Sequence, residues 1–227
     1  MEKPMLAPAR LLASLKASIG EVVFGMEDGA VSIFGLVFGV AVSTSDPKAA
    51  LVAGGAGAAA AAVSMMAGSY LDSESVRDAR RARLDGPVDP TLERADLAEI
   101  AAALGRGGMA AADVKAVSRI LARAPRSVTD LSEDLVEADD GASPLAHAWW
   151  MFVSDLFAGF TPVIPFALMP MQSARVVSLI VTTALLAALG VGRGLVAKRP
   201  VGRAMLETLT VAAAAGAAGV AVGRLLS

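Results

Sequence analysis

The 227-residue chain has no cysteine and a single histidine, His147. Disulfides, thiolate metal centres and cysteine nucleophiles are therefore excluded, and one imidazole cannot build a multi-histidine metal site. A metal would have to be held by carboxylates, backbone carbonyls, water or methionine thioethers. Such donors suit hard or borderline divalent ions better than copper(I) or structural zinc. No nucleophile–base pair is visible, so no enzymatic activity and no tightly bound cofactor are expected. Charged residues are also scarce, at 19%, against about 25% in an ordinary soluble domain. The net charge of −2 says little by itself, and no nucleic-acid partner is expected.

What is present is apolar. Hydrophobic residues make up 55% of the chain, and the mean hydropathy is +0.60. Charge is confined: 15 of the 22 acidic residues and 10 of the 20 basic ones lie between Asp72 and Asp140. A polar middle therefore separates two oily flanks. Five stretches are long enough to cross ~30 Å of hydrocarbon at ~1.5 Å per residue. They are Val22 to Ser43, Ala49 to Leu71, Pro144 to Met169, Val176 to Ala197 and Ala204 to Leu226. Pro162 and Pro165 interrupt or kink the third.

The expected fold is an all-α membrane protein with five transmembrane helices and a cytoplasmic helical insert between the second and third. Residues 1–19 form an N-terminal amphipathic helix with Leu11, Leu12, Leu15 and Ile19 at helical spacing. It either lies on the membrane surface or packs on the bundle. Its charges run through the segment with no long apolar core after them, unlike a secretory signal. Residues 20–71 hold helices 1 and 2, 72–142 the insert, and 143–227 helices 3 to 5.

Basic residues before the first span (Lys3, Arg10, Lys16) and after the fourth (Arg193, Lys198, Arg199, Arg203) put the N-terminus and insert in the cytoplasm and the C-terminus outside. Trp149 and Trp150 then anchor the third span at the cytoplasmic interface. With no eukaryotic sorting signal legible, a bacterial-type inner membrane is expected.

Glycines four apart, at Gly25/Gly29, Gly35/Gly39, Gly190/Gly194 and Gly219/Gly223, predict close helix approaches. The alanine-rich second and fifth spans are expected to pack against protein rather than lipid. In the insert, the first helix continues out of the second span and breaks at Asp85-Gly-Pro. Further helices are expected from Thr91 to Leu104, Ala111 to Arg123 and Ser127 to Ala138. Val114, Val117, Ile120 and Leu121 share one face of the third.

Ionisable groups inside a span are expensive and are functional candidates by default. Asp28 lies eight residues past Gly20, ~12 Å along the helix axis. With Ser32, Gly35 and Gly39 it forms a polar, small-residue stripe that can line an ion path; alternatively it pairs with an arginine such as Arg203. Glu27 points elsewhere, and Glu207 is expected to snorkel to the interface. Met65 offers a thioether to a passing ion or simply fills space. Asp155, deep in the third span, either serves proton coupling or is a neutral acid hydrogen-bonded to a neighbouring helix. In the insert, Glu93, Asp96 and Glu99 lie three apart and Glu133 and Glu137 four apart. Such carboxylates form a divalent-metal site if facing helices bring them together, and a solvated face if not.

Two stretches, Phe24-Gly-Met-Glu-Asp-Gly-Ala-Val-Ser-Ile-Phe-Gly35 and Ser64-Met-Met-Ala-Gly-Ser-Tyr-Leu71, resemble the signatures of the vacuolar iron transporter family. Five spans with an insert after the second is also that family's layout. The resemblance implies a homodimer that exports Fe2+, or Mn2+, from the cytoplasm in exchange for protons, along a path between the subunits. It makes Asp28 and Met65 the ligands in the path. Of the insert acids, it makes Glu99 the best counterpart of the family's metal-capturing glutamates, with Glu93, Asp96, Glu133 and Glu137 as weaker matches. Where the family often has a glutamate in or just after the second helix's Met-x-x-Gly, this chain has alanines and Ser69. The alternative of a different class is a non-transporting membrane scaffold whose insert binds a partner.

Overall fold

A computed structural model describes residues 7–86, 90–123, 128 and 143–226. The longer elements among them are all helical: α1 (Ala7–Ala17), α2 (Ile19–Ser43), α3 (Pro47–Asp85), α4 (Pro90–Arg106), α5 (Ala111–Leu121), α6 (Pro144–Phe160), α7 (Ile164–Leu168), α8 (Met171–Val196) and α9 (Val201–Leu225). The chain divides into two compact units. One comprises residues 1–70 and 144–227, the other residues 71–143.

In the first unit, α2, α3, α8 and α9 are long and apolar enough to cross a membrane. The protein is therefore an integral membrane protein. The expected third span is divided. Its 17-residue α6 ends at Phe160 and the five-residue α7 begins at Ile164. Prolines cannot donate to the helical ladder, and Pro162 and Pro165 stand at this break. The hydroxyl of Ser178 on α8 donates to the Pro162 carbonyl at 2.7 Å, satisfying a buried acceptor that the break leaves open.

Helix ends follow local chemistry. Asp46 accepts from the Lys48 backbone N–H at 2.9 Å and so caps α3, with Pro47 in its first turn. Arg175 donates to the carbonyls of Ala41 and, at 3.3 Å, of Thr44, placing a cation at the C-terminus of α2. Lys198, in the left-handed region at φ 52°, closes α8, and Arg199 N–H reaches back to the Gly194 carbonyl at 2.9 Å. The sequence reads Met169 to Ala174 as a turn, yet α8 already starts at Met171. Met171 and Ala174 are buried in the core, and that burial draws the polar residues between them into the helix.

Helix α2 is the central element, packed against α6 and α9 and touching α8. All four glycine pairs mark close approaches. Gly25 and Gly29 take the backbone of α6 at Met151 and Asp155. Gly35 and Gly39 face Ala215, Gly219 and Gly223 of α9, and Gly190 and Gly194 of α8 face Val201, Ala204 and Met205 of α9. Burial along α9 recurs every fourth residue, at Ala204, Thr208, Ala212 and Gly216. The alanine-rich α3 and α9 are covered less by their own chain than α2 and α8 are. Of their most apolar windows only 22% (α3) and 17% (α9) is buried within one chain. Alanine presents a shallow surface, so the intrachain contact takes up one narrow stripe of each helix. In α1, Trp150 Nε1 donates to Ser14 at 3.1 Å, tying that helix to α6, while Leu11 and Leu12 stay exposed.

In the second unit, α3 ends at Asp85, where Gly86 and Pro87 follow. Gly108, at φ 91°, follows α4 in a conformation that L side chains rarely adopt. Helix α5 half-buries Val114, Val117 and Leu121, whereas Ile120, expected on that face, is exposed. The helix expected from Ser127 to Ala138 lies outside the described residues.

Candidate functional site: an acidic pocket on the central helix

Two grooves run along α2. The first, a cavity of about 190 Å³, is lined by Phe24, Glu27, Asp28 and Val31 of α2, Arg193 of α8, and Glu207, Thr208 and Val211 of α9. The second, of about 480 Å³, is lined by Ser32, Gly35, Gly39 and Ser43 opposite Ala215, Gly219 and Gly223 of α9. Asp28 and Ser32 are one helical turn apart, so the expected stripe of Asp28, Ser32, Gly35 and Gly39 passes from one groove into the other. The Ser32 hydroxyl donates to the Asp28 backbone carbonyl at 2.7 Å, leaving its lone pairs to face the groove.

Among the described residues the Asp28 carboxylate makes no ion pair. Arg203, the partner the sequence suggested, instead lies on Glu207, Nε to Oε1, at 3.3 Å. Glu207 is shared further by Arg193 at 3.1 Å and Arg199 at 3.0 Å. Glu27 does not point elsewhere, as the sequence suggested. It lines the Asp28 pocket, where Arg193 Nη1 donates to its Oε2 at 3.0 Å and the Thr208 hydroxyl to its Oε1 at 2.9 Å. Sequence reasoning missed this network because Arg193 was counted with the turn after the fourth span. The signal was its position: three residues before the end of α8, it belongs to a spanning helix and falls under the rule applied to Asp28.

Asp155 is 1% exposed, and neither of its carboxylate oxygens has a hydrogen-bond partner among the described residues. The expected bond to a neighbouring helix is therefore not found there. Gly29, the residue after Asp28, lacks a side chain and so lets the Asp155 backbone and carboxylate come up against α2 there. The fold thus brings Asp28 and Asp155 together. His147, two turns earlier on α6, lies 3.4 Å from Glu21, Nδ1 to Oε1.

Met65 is half-buried on α3. Gly54 faces Val37, and Gly57 faces Ile33 and Leu36, so α3 runs antiparallel to α2. Continuing that register at ~1.5 Å per residue puts Met65 level with roughly residues 25–28, the depth of Asp28.

The insert residues are less assembled. Asp96 is buried and Glu99 exposed, so these two acids do not present one open face. Glu93 lies on α4, its side chain outside the described residues, as are Glu133 and Glu137 altogether. Among the described residues no group of three or more His, Asp or Glu side chains is arranged to hold a metal ion.

Four membrane-length helices, one of them carrying a carboxylate in a pocket and packed against a second, fully buried one on α6, define a polytopic membrane protein with an ionisable group inside a span. The sequence pattern of the VIT family matches residues 19–224, and the chain belongs to that family. It is not an enzyme. It is 26% identical over 215 residues to vacuolar iron transporter 1 of Arabidopsis thaliana, covering 92% of this chain and 86% of that one. It is 27% identical to vacuolar iron transporter 1 of Eucalyptus grandis, over 88% of this chain and 83% of the relative. It is 29% identical to the vacuolar iron transporter of Centaurea cyanus, over 88% and 84%.

Proposed function

We propose that the protein moves a divalent metal ion, Fe2+ or Mn2+, out of the cytoplasm in exchange for protons. The observation that carries this is Asp28: a carboxylate within a spanning helix, in a pocket, with no cation of its own among the described residues. A carboxylate in that setting is costly unless something positive visits it. The names of the three relatives support iron as the cargo.

In this reading Asp28 and Met65 are ligands at one depth, an oxygen donor and a thioether that together suit a borderline ion such as Fe2+. Ser32 continues the path along the second groove, and Asp155 supplies a second acid beside it. The open faces of α2 and α9 would be closed by a second copy, which places the path at the centre of a homodimer surrounded by lipid. The third span is the broken pair α6–α7, giving five spans. The N-terminus and insert are cytoplasmic and the C-terminus lies outside, in a bacterial-type inner membrane. Glu93, Asp96, Glu99, Glu133 and Glu137 of the insert are the acids that would collect metal before transport.

The test is flux into proteoliposomes containing a dye quenched by Fe2+, with the ion kept reduced. Acidifying the vesicle interior should speed Fe2+ entry several-fold over protein-free vesicles, and dissipating the gradient should remove that gain. A reconstituted protein that moves neither Fe2+ nor Mn2+ under either condition would favour the scaffold reading.

A further inference from the structure

The three acids of the Asp28 pocket are not equivalent. Glu207 is held by three guanidinium groups, from Arg193, Arg199 and Arg203. Glu27, with its side chain 17% exposed, is held by one, that of Arg193. Its other oxygen takes the Thr208 hydroxyl. Both Glu27 oxygens are thus occupied, while Asp28, the adjacent residue, makes no ion pair among the described residues. Arg193 reaches from α8 to α2 with Nη1 and to α9 with Nη2, so one side chain fastens three helices across the cavity. Its Nε is buried without a hydrogen-bond partner among the described residues, so the guanidinium is not fully satisfied where it stands.

We propose that Arg193 is a gating residue, a tethered cation that holds Glu27 back and releases it to the transported divalent ion beside Asp28. The proposal rests on the transport reading above. Its physical basis is the asymmetry of the two bonds. When Nη1 leaves Glu27, the guanidinium keeps its bond to Glu207, so release costs one charge-assisted contact and does not strand the arginine. What is freed is a second carboxylate oxygen one residue from Asp28. One carboxylate and water make a poor divalent site, and two carboxylates make a better one. With Glu27 held, the three arginines paired to Glu27 and Glu207 outnumber those two acids, and the pocket attracts cations only through Asp28. With Glu27 released, its attraction rises. The same movement unfastens α2 from α8, the kind of helix separation a transport cycle requires.

The experiment measures initial Fe2+ flux against Fe2+ concentration in proteoliposomes for Arg193→Gln, Arg193→Lys, Glu27→Gln and the Arg193→Gln/Glu27→Gln pair. Arg193→Gln should lower the half-saturating concentration at least about threefold, because the competitor for Glu27 is gone. It should also lower the maximal rate, because the ion leaves a tighter site more slowly. Arg193→Lys, which keeps the charge but loses the two-armed head, should shift the same way by less. Glu27→Gln should raise the half-saturating concentration, and in that background Arg193→Gln should have no further effect.

A purely structural ion pair would lower thermal stability in these variants and leave half-saturation alone. An unchanged or higher half-saturation in Arg193→Gln overturns the proposal, as does an equal drop in the Glu27→Gln background. If Arg193→Gln does not fold, unchanged half-saturation in Glu27→Gln overturns it. Flux that survives Asp28→Ala would defeat the transport path itself. Flux lost in Asp28→Ala with wild-type half-saturation in the Arg193 variants defeats only the gate.

Discussion

Asp28→Ala is expected to abolish metal flux while leaving the bundle folded. The two halves of that expectation come from different physics. The carboxylate is half-buried in a spanning helix and has no cationic partner among the described residues, so its removal breaks no ion pair and relieves the cost of holding a charge there. Unfolding temperature in detergent should be unchanged or higher. Flux should fall at least about 100-fold, since losing a charged ligand forfeits about 3 kcal/mol of ion stabilisation and each 1.4 kcal/mol is tenfold. Asp28→Asn keeps the shape and one acceptor and should fall between. Initial rates at low Fe2+, beside a melting curve followed by Trp149 and Trp150, read both halves at once. A folded Asp28→Ala protein with normal flux would remove Asp28 from the path.

The largest effect on stability is expected at Gly219. A methyl group there would run into the Gly35 backbone carbonyl of α2, and neither backbone can move without parting α2 from α9 along Gly216 and Gly223 as well. Helix propensity alone argues the other way, because alanine is favoured over glycine in a helix by up to about 1 kcal/mol. Gly219→Ala should nevertheless destabilise by about 1–3 kcal/mol, the usual cost of overpacking a tight contact. Gly192 supplies the control: a methyl group there meets nothing within 4 Å. Gly192→Ala should be neutral or slightly stabilising. Melting temperatures of the two variants in one detergent settle the comparison. Equal behaviour would mean that the α2–α9 contact is looser than described.

Features governed by one or two residues were legible in the sequence. Asp85-Gly-Pro ends a helix because a proline directly after a glycine removes a ladder donor where the chain is already easiest to bend. Pro162 and Pro165 break the third span for the same local reason, and glycines four apart announce a close approach before the partner is known. The neighbours of those glycines were not legible, since spacing gives a face and not what covers it. The pocket shows the limit most clearly. Asp28 stood out as an acid in an apolar run, and Asp155 as an acid deep in another, but only packing at Gly29 puts them together. Glu27 lies far in sequence from Arg193 and Glu207, which stand on two consecutive helices, and each near a span's end has an ordinary reading as an interfacial charge. A long arginine side chain chooses its partner in three dimensions, which is why spacing offers Arg203 as one possible partner of Asp28 while the fold gives it to Glu207. Met65 was found as a residue type, and only the antiparallel register of α2 and α3 gives it the depth of Asp28.

The central claim, that a divalent ion resides at Asp28 on its way through the membrane, has a direct measurement: anomalous scattering from crystals of the protein grown or soaked with Mn2+ or Fe2+. The account predicts a peak within coordination distance of the Asp28 carboxylate, absent in Asp28→Ala. A metal peak only on insert acids, with the Asp28 pocket empty at saturating ion, would contradict it.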